Sequence, residues 1–165
     1  MQNAAPTIDV SRKAERLVVE GIRRSMAAHA TGDYACFDLA LKLYEAELGP
    51  RDARRTLSDL CFYARALALY GNRSFCLFPY ECPRLCQDEC LVAALIAAEQ
   101  SGNSSISRKI AEALVTSEGQ SATLYAASSF ANALSDCALH LSPIDFTSLR
   151  IEACPLRRAG LGPRH

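Results

Sequence analysis

The chain has no tryptophan, only three histidines and no excess charge of either sign, because eighteen basic residues match eighteen acidic ones. Without a chain-wide field, nothing in the bulk charge gathers nucleic acid or an anionic membrane surface, so no nucleic-acid partner is expected. No glycine-rich phosphate loop occurs, which leaves nucleotide chemistry without a foothold. Long apolar runs are missing too. The longest, Cys90 to Ala98, is about half the roughly 20 residues a membrane-spanning helix needs, so no membrane partner is expected. The opening MQNAAPTIDVSRKAERL lacks the basic start, apolar core and small-residue cleavage site of a secretory signal, and a cytoplasmic location is the expectation. Lysine is scarce beside arginine, three against fifteen. That bias reads as a high-GC codon habit and carries nothing about function.

What is present is apolar content. Half of the 165 residues are hydrophobic, enough for a single buried core. Apolar residues recur at helical spacing, and glycine and proline mark the breaks. The spacing predicts a first helix over 9–31, with Val10, Ala14, Leu17, Val18, Gly21 and Ser25 inward and Lys13, Arg16, Glu20 and Arg24 outward. A second helix is predicted over 34–48, ending at Gly49-Pro50, and a third over 51–70, ending at Gly71-Asn72. Pro83 suits the first turn of a fourth helix running to about Gln100. A fifth follows over 106–117 and a sixth over 121–141, the sixth with a stripe rich in alanine. No alternation of the kind strands need is visible. The expected fold is all-α: a single compact domain of five to six amphipathic helices, a helical bundle over 9–142, with a flexible N-terminus at 1–8 and a largely irregular tail at 143–165.

Thr31-Gly-Asp-Tyr34, followed by Ala40, Tyr44, Ala46 and Pro50, resembles the turn and second helix of one tetratricopeptide repeat. No copy recurs about 34 residues on, and stacked repeats need about three copies to bury their faces, so the likeness implies a helical hairpin and not an array.

The least ordinary stretch is 75–90, which holds Cys76, Cys82, Cys86 and Cys90, half of the chain's eight cysteines. In a reducing cytosol such residues are more readily thiols or metal ligands than disulfides. On a helix, Cys82, Cys86 and Cys90 would line one face about 6 Å apart. The outer two would stand about 12 Å apart along the axis, too far for one zinc held at about 2.3 Å per sulfur. Pro83 relaxes this constraint by pushing Cys82 out of the helical line, and Cys76 could fold back to join the set. Two readings follow. One treats the four as packing residues or a reversible disulfide, as Cys36, Cys61 and Cys137 on or beside core stripes are read. The other makes Cys76, Cys82, Cys86 and Cys90 a metal site for zinc or an iron–sulfur cluster, with the helix N-terminus favouring thiolate.

Asp136 and His140, four apart on the predicted sixth helix, would let a carboxylate orient an imidazole as a base requires. No nucleophile is placed beside them by any motif, and the pair reads as two ordinary solvent-facing polar side chains one helical turn apart. The expected function is therefore protein–protein interaction, as an adaptor or regulator, with a protein partner or a homodimer and no catalysis of its own. The alternative is a metal-binding or redox protein built on the cysteine cluster.

Overall fold

The computed structural model describes residues 8–142. Six α-helices follow one another: α1 Lys13–Thr31, α2 Ala35–Leu48, α3 Pro50–Tyr70, α4 Gln87–Ser101, α5 Ser104–Leu114 and α6 Gln120–Asp136, with a short 3-10 turn at Ser117–Gly119. No strand forms among the described residues beyond an isolated bridge between Gly71 and Val115, and no helix among them is long and apolar enough to cross a membrane. The all-helical expectation holds. The expected irregular tail at 143–165 and nearly all of the expected flexible N-terminus lie outside the described residues.

The helices form two triplets. In the first, α1, α2 and α3 pack on one another; in the second, α4, α5 and α6 do the same. Contacts of α3 with α6 and of α1 with α4 join the two. The α1–α2 hairpin turns where the tetratricopeptide likeness placed it. Gly32 ends α1 in a left-handed conformation (φ 71°) that glycine alone adopts without a Cβ penalty. Asp33 then accepts from the Ala35 amide to start α2.

Close approach of the first triplet depends on Gly21. A Cβ there would lie 2.5 Å from Leu60 Cδ2 and 2.7 Å from the Tyr44 hydroxyl. That hydroxyl cannot retreat freely, since it donates to the Leu17 carbonyl at 2.8 Å inside the core. The second triplet is organised around α4, whose residues Leu91 to Ala98 are all buried. A helix that is apolar all round has no solvent face to offer, and this one is central to its triplet. Tyr63 of α3 spans the two triplets by donating to the Val92 carbonyl at 2.9 Å.

Helix α5 runs over Ser104–Leu114 rather than 106–117, because Asn103 caps its start by accepting from the Ile106 amide and Val115 leaves it to bridge Gly71. Three further boundaries depart from the sequence reading, each because side chains capture the backbone. Helix α1 begins at Lys13 rather than Asp9 because the Asp9 carboxylate accepts from the Ser11 amide and hydroxyl, holding 9–11 in a turn. Helix α6 stops at Asp136, five residues short of Leu141. There Ala138 takes a left-handed φ of 58°, while Gln100 donates to the Leu139 carbonyl and accepts from the Leu141 amide. Helix α4 begins at Gln87, four residues after Pro83, for a reason that belongs to the cysteine-rich segment.

Candidate functional site

Residues 71–86 have no regular structure, yet they are fastened from below by a charged cluster in the interior. At its centre Arg23 of α1 is 1% exposed. Its Nε and Nη2 grip the Glu89 carboxylate at 2.8 and 3.1 Å. Nη1 donates to Glu20 at 2.7 Å and to the Cys82 carbonyl at 2.9 Å. Nη2 also donates to the Arg84 carbonyl at 2.8 Å. Five N–H donors thus meet five acceptors, the full capacity of a guanidinium. Burial alone would pull the Arg23 pKa down; hydrogen bonds and attraction from Glu89 and Glu20 outweigh it and hold the group above its usual value.

The carboxylates carry the hold further along the loop. Glu89 accepts from the Phe78 amide at 2.8 Å, Glu20 from the Glu81 amide at 2.9 Å, and Asp88 from the Cys76 amide at 2.8 Å. Arg73 pairs with Asp88 at 2.9 Å. Arg24 pairs with Glu20, as their i, i+4 order favours, and covers the Tyr80 ring at 4.7 Å. Backbone amides of an irregular loop need partners when they are covered, and here buried carboxylates supply them. Glu20, which the helical stripe assigned to the solvent face, is therefore buried.

This cluster decides where the cysteines stand. Arg23 holds the carbonyls of Cys82 and Arg84, which keeps both residues out of a helix. Cys86 then serves as the N-cap of α4. Its side chain takes the N3 amide, and Glu89 returns a bond to the Cys86 amide at 3.1 Å, the reciprocal arrangement of a capping box. Cys82 lies in the loop, out of the helical line as the reading of Pro83 allows, but Cys86 is also outside the helix, at its cap, and only Cys90 lies inside it, one turn in. The Cys86 thiol donates to the Cys76 carbonyl at 2.6 Å. Burial pushes its pKa far up, despite the bond from the backbone at Glu89, and burial also raises Cys90, to about 11. The rise at Cys86 opposes the thiolate that the helix N-terminus was expected to favour there. Among the described residues, no group of three or more His, Cys, Asp or Glu is placed to hold a metal ion.

Cys61 and Cys137 pack against the core from its edge, as read from the stripes, and Cys36 is half-buried. The Asp136–His140 pair is not assembled. The end of α6 separates the two residues, His140 is exposed, and Asp136 instead pairs with Arg55 across the α3–α6 seam at 2.6 Å.

The surface feature that the sequence reading missed lies on that seam. A groove of about 910 Å³ runs between α3 and α6, lined by Phe62, Leu69 and Tyr70 on one side and Ala122, Tyr125 and Ala126 on the other. Phe62 is 60% exposed, Leu69 65% and Tyr125 78%. Asp59 and Arg65 line it as well. Arg65 and Phe62 also line a smaller hollow of about 340 Å³ with His29, Phe37 and Cys61, so the two depressions share a ridge. Phe62 and Leu69 lie on α3 and Tyr125 on α6, and a single exposed Phe, Leu or Tyr on a helix carries no signal in the sequence. Only the packing of α6 beside α3 gathers them into one patch. No known family model, curated protein or solved structure matches the chain.

Proposed function

We propose that the protein works by binding another protein chain through the α3–α6 face, as an adaptor or regulator, with no catalysis of its own. One observation carries this reading: of the six large hydrophobic side chains left exposed among the described residues, Phe62, Leu69 and Tyr125 converge on a single groove. Scattered exposed apolar residues are ordinary on any protein, whereas a contiguous apolar cleft rimmed by charge is the composition of an interface core. Aromatic side chains there offer large contact area at low entropic cost and are the usual anchors of binding energy. A reducing, cytoplasmic setting belongs to the same proposal. It is supported by the Cys86 thiol, which serves as a hydrogen-bond donor that a disulfide would remove.

The test is a photo-reactive phenylalanine analogue placed at Tyr125 and, as a control, at the exposed Lys109 of α5, irradiated in the host cell. A discrete adduct at position 125, absent at 109 and lost when Phe62→Glu is added, is the expected result. Equal adducts at both positions, or none at 125, would remove the reading.

A further inference from the structure

The α3–α6 groove carries charge as well as apolar surface, and the charge is arranged symmetrically about one residue. Asp59 and Arg65 both line it, and Phe62 stands three residues from each, about 4.5 Å of helix rise in either direction. Among the described residues neither charge is neutralised: no ion pair of Asp59 or Arg65 forms there, and Arg55, which attracts Asp59, is held by Asp136. Partial burial pushes the Asp59 carboxyl above its usual range, more than the attraction of Arg55 offsets.

Resting on the function proposed above, we infer that the occupant of this groove is a second copy of the same chain, packed about a two-fold axis at Phe62. Two α3 helices laid antiparallel about that axis put Phe62 of one copy against Phe62 of the other. The same operation brings each Asp59 to the level of the other copy's Arg65, within the span of an arginine side chain. Such an interface is isologous: one patch complements itself, and every contact occurs twice. An acidic segment of some other protein would satisfy Arg65 and leave Asp59 facing a like charge. A basic segment would do the reverse. A second copy satisfies both without any further element, and the zero net charge of the chain sets no long-range repulsion against self-association. Ala66, Ala122 and Ala126 are small lining residues that leave room in the groove for the aromatic side chains of the other copy.

Charge reversal tests this arrangement by sedimentation of the full chain. The wild type should sediment at twice 17.9 kDa. Asp59→Arg or Arg65→Asp alone should weaken the dimer by about tenfold or more, since each places like charges together twice. The double variant Asp59→Arg/Arg65→Asp restores opposite charges at both contacts and should return the dissociation constant to near that of the wild type. Phe62→Glu should leave a monomer, and a far-UV spectrum confirms that each variant is folded. A wild-type monomer at high micromolar concentration overturns the inference, as does a dimer indifferent to all four variants. If the chain is monomeric while the Tyr125 cross-link captures a different protein, the second copy is wrong and the interaction face stands. A monomer with no cross-link at Tyr125 removes both.

Discussion

The segment 71–86 and the α3–α6 face are opposites in construction. The first is irregular in backbone, rich in cysteine and conspicuous in sequence, yet the buried Arg23, Glu20, Asp88 and Glu89 hold it to the interior. The second is regular helix of unremarkable composition, and it leaves Phe62, Leu69 and Tyr125 in solvent. The contrast teaches that chemical conspicuousness and availability are separate properties. Cys86 and Cys90 are engaged in capping and packing, with their thiols pushed away from ionisation. Phe62, Leu69 and Tyr125 on the helical ridge stay largely exposed to solvent. An interface needs groups of the second kind.

Breaking the interior half of the comparison should have the largest effect. Arg23→Met leaves Glu89 and Glu20 charged, buried and without their central cation, and strands two backbone carbonyls. Removing one partner of a buried ionic cluster costs about 3–5 kcal/mol, so urea titration should show a large fall in midpoint, with proteolysis beginning inside 71–86. A second perturbation of the same region should be milder. Cys86→Ala deletes the cap and the donor to the Cys76 carbonyl, a loss of about 1–2 kcal/mol in the same titration. On the exposed half, Phe62→Glu should change folding stability by no more than about 0.5 kcal/mol, since no buried group is disturbed, while it abolishes association. A chelator should produce the smallest effect of all. If Arg23, rather than an ion, organises the cysteine-rich segment, EDTA leaves the melting temperature of the purified protein unchanged.

The helices themselves were legible in the sequence because their ends rest on local chemistry. Gly32, Gly49-Pro50, Gly71 and Gly102 stop or start elements close to where their backbone preferences predict. What escaped was set by contacts remote in sequence. Pro83 looks like a helix start, but the true signal was Cys86-x-x-Glu89, a capping box in which cysteine replaces the usual serine or threonine. Arg23 carries no local mark either. It sits in an amphipathic helix like any surface arginine, and only the return of residues 82–89 across α1 makes it interior. Asp136 and His140 face solvent, as the sequence reading has them, but their i, i+4 spacing assumes a sixth helix running to Leu141, which Gln100 prevents by binding the chain at Leu139 and Leu141. The groove was invisible for a third reason, since it exists between two helices and in neither alone.

Tyr125 and Tyr34 offer a direct measurement, because both are tyrosines and both are 78% exposed in the single chain. Hydroxyl-radical footprinting of the protein at its working concentration in the host should oxidise Tyr125 several-fold more slowly than Tyr34, with Phe62 and Leu69 protected alongside it. Equal oxidation of the two tyrosines would mean that the α3–α6 face stands bare, and that the protein does not act through it.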